Sequence, residues 1–420
     1  MVDGPSGSKG ESQRTFITVL NEVFAAVAGW SFDHRWIVMG ICLAIGYSSL
    51  ELSSLARIDN SYEAYFDLGD PAYLSYEQYR EDFGSDEVSY VLYEVPGAEY
   101  GPFDLEIMRK VVKLTKALED EVPFVYEVKS LVNAELVTGV EDGIEIRKLE
   151  KDFPESQEEL LALRERFLSK PMLVGGILSQ DATHAAIIIK MDRSSTDPPE
   201  EIRVDPELGD ALENLYPQAT DTVIEEIFAR PEYSEIRFYH SGDVPLNAVY
   251  NRIIASEGGK LDMITTVVIA VILVAFFRSF LGVVAPVVVV QLAVFMCIGF
   301  IALLGWKLDM SFGSVPTLLT AIGVAHSVHI LSEFRGRFAE LGDRREALVQ
   351  TLYLVGTPCL LASLTTAVGF GSMSFAPIKS ISHQGVYAAF GVIAAFVLSL
   401  TLLMALLSFG RRSPKHPATE

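Results

Sequence analysis

The chain has 420 residues of which 50% are hydrophobic, and its mean hydropathy of +0.30 is too high for an ordinary soluble domain of this size, so a membrane protein is indicated. Lys and Arg number 33 against 55 Asp and Glu, a formal net charge of −22 that demands a sizeable acidic soluble portion and disfavours nucleic acid or an anionic lipid surface as partner. Cys42, Cys297 and Cys359 all fall in apolar stretches, so neither a disulfide framework nor a thiolate metal site is expected, and no cofactor is implied.

Met1 to Arg14 is polar and rich in Gly and Ser, which predicts disorder. Phe16, Leu20, Val23, Phe24 and Val27 then recur at helical spacing, predicting an amphipathic helix that either lies at the membrane surface or packs against a folded body. Residues 1–35 are therefore read as a cytoplasmic N-terminus, and residues 36–56 as a first span of about 20 residues. About 205 residues pass before the next membrane-length apolar run, enough for one or two domains, so 57–260 is expected outside the membrane.

Within that region Glu87 to Val95 reads as a strand, Asp104 to Glu121 as a helix and Phe124 to Leu131 as a strand. Thr183 to Met191 is a further strand, Pro206 to Ala229 a helix and Glu235 to Ser241 a last strand. The order is the split βαβ pattern of a ferredoxin-like α+β fold, with an acidic, helical insertion from Glu141 to Lys170. Tyr62, Tyr65, Phe66, Tyr73, Tyr76 and Tyr79 follow the first span, where they would either line an amphiphile path or pack the domain onto the membrane surface.

The later apolar runs are Leu261 to Phe277, Leu281 to Leu304, Leu308 to Arg337, Leu352 to Phe375 and Gly385 to Phe409, for a total of about six transmembrane helices. They make 261–410 a membrane block of about five helices, with 411–420 as a cytoplasmic tail. Arg278, Arg335, Arg337, Arg344, Arg345, Arg411 and Arg412 share the side of the N-terminus, whereas the opposite short loops carry Lys307 and Lys379. Both termini are thus predicted to be cytoplasmic in a plasma (inner) membrane, with the large domain outside. Ala367 with Gly371, Gly385 with Ala389 and Gly391 with Ala395 have the small-xxx-small spacing of close helix packing, and Gly323 and Gly369 are further small positions. Pro286, Pro316 and Pro358 are expected to kink or unwind their helices.

The stretch Leu308 to Arg337 organises the rest. At ~100° per residue Ile322, His326, His329 and Glu333 fall on one helical face. An ionisable side chain in hydrocarbon costs on the order of 2.5 to 3.5 kcal/mol, so such a stripe persists where it meets a bundle interior or a wet cavity. His326, His329 and Glu333 are the candidate proton relay, running in that order. Two alternatives stand beside it: His329 and Glu333 mark a helix emerging into water near Arg335 and Arg337, and His326 is a neutral imidazole hydrogen-bonded to a neighbouring helix.

The wording of the chain resembles a known family. FGSDE at Phe83 to Glu87, FFRSF at Phe276 to Phe280, AIGVAHSVHIL at Ala321 to Leu331 and SLTTAVGFGSMSF at Ser363 to Phe375 are similar to one half of a transporter of the RND (resistance-nodulation-division) superfamily, in its MMPL-like, hydrophobe-exporting branch. The later spans also look like a sterol-sensing domain. The resemblance implies proton-coupled export of hydrophobic or lipid-like molecules, by a homodimer or with a second half-module. Two departures accompany it. Family members commonly place a proton-carrying aspartate after Gly-Val in the fourth span, whereas Gly323 and Val324 are followed here by Ala325 and His326; some relatives carry the acid one position later, in line with His326. Typical members also repeat the module, so this chain is expected to be a natural half or a fragment. A non-transporting lipid-sensing or accessory subunit is the alternative.

No GxxxxGK[ST], GxSxG, HExxH or paired-Cys spacing is present, which disfavours an ATP-driven pump or hydrolase, and no enzyme is expected. His184, His240 and Asp243 are scattered through the acidic region and read as surface or strand-end polar residues rather than catalytic or metal-binding ones.

Overall fold

A computed structural model of the protein describes residues 8–56, 58, 60, 65–67, 69–84, 86–140, 143–191 and 216–410. These divide into two compact units, one of Met1–Asp67 with Ile253–Glu420 and one of Leu68–Arg252.

The second unit opens with α3 (Pro71–Phe83) and β1 (Val88–Glu94), the labels α1 and α2 being kept for the helices of the first unit that precede them. It continues through α4 (Leu105–Glu121), β2 (Val125–Lys129), β3 (Leu136–Val140), β4 (Gly143–Arg147), α5 (Gln157–Leu168), β5 (His184–Met191), α6 (Tyr216–Phe228) and β6 (Arg237–Gly242). A four-stranded sheet has the order β2-β5-β1-β6 with every neighbouring pair antiparallel. Val91 lies opposite Ile187 on one side and His240 on the other. Helix α4 joins β1 to β2, and α6 precedes β6. Alternation makes β1 two-faced, its buried side carrying Val91 and Tyr93. The apolar residues of α4 recur at three and four: Ile107, Met108, Val111, Leu114 and Leu118 are buried with them. Each such burial contributes roughly 1.5–3 kcal/mol. Asp104 starts α4 by accepting the Glu106 amide at 3.1 Å.

The insertion is a correction. Glu141 to Lys170 was expected to be helical, yet β3 and β4 form a separate two-stranded hairpin and the helix α5 begins at Gln157. Acidic composition suggested helix, whereas the short runs Leu136–Val140 and Gly143–Arg147 pair across a turn. Of the expected helix Pro206 to Ala229, residues 206–215 lie outside the described ones.

The first unit holds α1 (Ser8–Asp33), α2 (Arg35–Ser53), α7 (Asp243–Phe277, from Ile253 onward), α8 (Phe280–Leu303), α9 (Val315–Leu341), α10 (Arg344–Gly371), α11 (Lys379–Leu400) and α12 (Leu402–Leu407). Among the described residues six segments are long and apolar enough to cross a membrane: α2, α7, α8, α9 with the turn before it, α10 with the turn after it, and α11 with α12. Val267, Val271, Val274, Leu361, Leu364, Val368 and Val397 point outward, an apolar band that water would not tolerate at this extent. The protein is a multi-pass helical membrane protein.

Helix α11 sits deepest, against α8, α9 and α10. Small residues allow that approach: a Cβ at Gly323 would stand 2.8 Å from Val290 and 3.5 Å from Ala395, and one at Gly391 would meet the Leu319 side chain at 2.6 Å. Gly369 and Gly371 do not act this way, since nothing lies within 4 Å of a Cβ built on either. Pro316 also departs from expectation. It occupies the first turn of α9, where its missing N–H costs nothing, so it starts the helix instead of kinking it. Pro286 and Pro358 do lie inside α8 and α10.

The disorder expected through Arg14 gives way to helix from Ser8, and residues 1–7 lie outside the described ones. Helix α1 runs antiparallel to the first half of α10. Asn21 Oδ1 accepts the Thr357 hydroxyl at 2.5 Å, Phe24 lies over Gly356, and Asp33 receives Arg345 at 2.6 and 2.9 Å. Leu20, Phe24 and Val27 of its amphipathic face pack there, while Phe16 and Val23 are exposed.

Candidate functional site

The face carrying His326, His329 and Glu333 turns toward α10. Together with Ser332 from α9 and Val355, Pro358, Cys359 and Ala362 from α10, these side chains line a cleft of about 280 Å³. Pro358 supplies no N–H to the carbonyl one turn earlier, so the wall of the cleft is a helix segment short of one backbone hydrogen bond.

His326 is 5% exposed. Its Nε2 is 3.1 Å from Ser363 Oγ, while Ser363 donates to the Cys359 carbonyl at 2.8 Å. A hydroxyl has one proton, and the shorter contact takes it. Nε2–H therefore donates to Ser363 Oγ, and Nδ1 keeps its lone pair. That nitrogen is enclosed and has no hydrogen-bond partner among the described residues. Phe396 of α11 meets the ring edge-on at 6.2 Å and fixes its plane. Glu333, toward the other end of the cleft, accepts from Arg337 Nε at 2.9 Å, and Arg337 also reaches Glu340 at 3.0 Å. Counting nine residues at ~1.5 Å each puts His326 about 14 Å from the level of Arg335. Arg335 in turn donates to the Phe276 and Phe277 carbonyls at 3.3 Å, closing the end of α7.

Ser363 escaped selection as a site residue, although it opens the motif SLTTAVGFGSMSF. Serines bonding back to their own helix are common, and only the packing of α10 on α9 places this one against an imidazole. A second omission is the pair Asp262 and Thr320, whose side chains meet at 3.3 Å between α7 and α9, with Gln291 and Thr266 bonded at 2.8 Å between α8 and α7.

A match to the MMPL family covers residues 105–420. The chain belongs to the MMPL family, within the RND transporters. Protein MJ1562 of Methanocaldococcus jannaschii is 20% identical over 398 residues, which is 94% of this chain and 96% of that protein. The apo-petrobactin exporter of Bacillus anthracis is 28% identical over 183 residues, 41% of this chain and 24% of the exporter. The hopanoid transporter HpnN of Rhodopseudomonas palustris is 28% identical over 201 residues, 47% of this chain and 22% of the transporter. The chain thus spans nearly all of MJ1562 and less than a quarter of the two named transporters. After Gly323 and Val324 this chain places Ala325 and then His326, the imidazole bonded to the Ser363 hydroxyl.

The remaining singled-out residues separate. Tyr73 is buried and Tyr76 donates to Asp86 at 2.9 Å, so both pack within their own unit, whereas Tyr79 is exposed; Tyr62 lies outside the described residues. His184 Nε2 approaches Glu94 at 3.4 Å, and Asp243 accepts from Asn247 at 3.1 Å. His240 is the exception to the surface reading: its side chain is 8% exposed and faces Asp221 and Glu225.

Proposed function

We propose that the protein is an RND-type exporter of hydrophobic or lipid-like molecules, driven by protons, in which His326 stands in for the usual aspartate. One observation carries the reading: an enclosed imidazole with a bare Nδ1, on a cleft that also holds His329 and Glu333. A neutral histidine is a proton acceptor whose unperturbed titration, near pH ~6.5, falls in the physiological range. Protonated at Nδ1, it would donate on both sides and repack the helices around Ser363 and the cleft, and discharge would pass through His329 toward Glu333. The hopanoid transporter among the relatives supports a lipid-like or hydrophobic cargo. The strand order β2-β5-β1-β6 supports the ferredoxin-like reading of the second unit, as an extracytoplasmic domain at about 57–260.

A single module encloses half of a pathway, so the working particle is a homodimer or a pair with a second half-module. Orientation follows the arginines. A cysteine replacing Asp181 should be labelled from outside by a membrane-impermeant reagent and one replacing Gly342 should not; the reverse pattern would overturn the topology. The function itself is tested by reconstituting the protein in liposomes with the lipids that copurify with it and imposing a pH gradient. Cargo movement that follows the gradient is expected, and movement indifferent to it would sink the proton-coupled reading.

A further inference from the structure

The buried His240 is not used by the membrane cleft, and its surroundings have the chemistry of a metal site. Asp221 and Glu225 are one turn apart on α6 and so share a face, and β6 brings His240 up to them. His240 Nδ1 lies 3.0 Å from Glu225 Oε1 and 3.5 Å from Asp221 Oδ1, and the three ligand atoms all fall within 4.8 Å of one another. Two donors held at ~2.1 Å from one ion in tetrahedral directions stand about 3.4 Å apart, which is the spacing seen here.

The supports around these donors fit as well. Asp221 has a side chain 5% exposed, and its other oxygen, Oδ2, accepts from Arg252 at 3.0 Å, so the carboxylate is oriented with Oδ1 toward the imidazole. The His240 ring is held edge-on by Phe228 at 5.9 Å. Its burial is not explained by hydrogen bonding on both sides: Nε2 is enclosed and without a partner among the described residues, and the contacting nitrogen is the one aimed between the carboxylates. Glu225, half open to solvent, is the arm that admits an ion.

The geometry points to a divalent transition-metal site at Asp221, Glu225 and His240, taking zinc or manganese through one nitrogen and two carboxylate oxygens and leaving a coordination position for water. One imidazole with two carboxylates is a borderline donor set, which suits these ions better than magnesium or calcium, whose preference is for oxygen alone. Bound there, the ion ties the end of α6 to β6. It replaces a hydrogen-bonded contact by coordination and stabilises the second unit.

The test uses the full chain in nanodiscs, stripped with a chelator and titrated with zinc chloride or manganese chloride alone. Calorimetry reads stoichiometry, and thermal unfolding reads the response of the fold. One equivalent is expected to bind and to raise the unfolding temperature, and Glu225→Gln and His240→Gln should each weaken binding at least about tenfold. Glu225 is exposed, so its variant keeps the fold even where changes at buried Asp221 would not. No stoichiometric binding, equal binding by both variants (an adventitious ion only), or a stability that responds to pH but not to metal would each overturn the site.

Discussion

Among the described residues two enclosed imidazole rings, His326 in the first unit and His240 in the second, are surrounded in opposite ways. His326 lies among membrane helices, meets a serine hydroxyl and the edge of Phe396, and has one nitrogen bare. His240 lies between a helix and a strand, faces two carboxylates and has an arginine behind one of them. In hydrocarbon a charge has no water to fall back on, so an ionisable side chain there depends on the few polar groups its neighbours supply. Asp221 and Glu225 instead turn carboxylate oxygens toward the imidazole, at 3.5 and 3.0 Å from its Nδ1. Burial alone therefore does not say what a histidine is for; the groups around it do.

The largest stability effect expected from disturbing one site and not the other comes from Gly323→Leu. A side chain there must displace Val290, so overpacking should cost the membrane helices about 1–3 kcal/mol or more while the sheet of the other unit keeps its own unfolding transition. Thermal unfolding followed separately by tryptophan fluorescence and circular dichroism checks this; a shared, equal loss would mean that the two regions are not independent. Ser363→Ala should be milder. It strands Nε2–H in an enclosed place and costs about 1–2 kcal/mol, with a change of imidazole tautomer visible in the nitrogen spectrum of histidine-labelled protein. An unchanged tautomer would show that Ser363 does not set it.

The smallest effect belongs to the second unit. Ser179, the Thr183 amide and the Thr183 hydroxyl, all hydrogen-bonded to Asp181, lower its carboxyl from 3.8 to about 2. The folded value is the depressed one, so the stabilisation is present above the unfolded value and fades as pH falls from 3.8 through about 2. Asp181→Asn should therefore lower stability slightly at neutral pH and flatten its acid dependence in that window. A variant with the same acid dependence as the parent would remove Asp181 from the account.

Much of this was readable in the chain. The apolar spacing of α4 and the apolar runs of the membrane helices came directly from period and length, because burial there is imposed on continuous segments. The common face of His326, His329 and Glu333 was readable for the same reason. What joins them to other helices was not. Ser363 reaches His326 from 37 residues away, and local pattern carries no trace of that meeting. Asp221 and Glu225 share a face on α6 but nothing in the sequence singled them out, and His240, which read as a surface or strand-end residue alongside His184 and Asp243, joins them through the fold. Pro316 and the pair Gly369 and Gly371 failed for a different reason: each residue type has several uses, and position within the helix decides among them.

The account turns on His326 as the group that takes up and releases the proton. Glutamine keeps the size and hydrogen-bonding capacity of the imidazole and removes its titration, so His326→Gln reconstituted beside the wild type isolates that property. With cargo flux measured under an imposed gradient from about pH 5.5 to 8, the expected result is a folded, inserted variant whose gradient-driven export is abolished. Normal transport by His326→Gln across that range would contradict it and make the imidazole a packing residue.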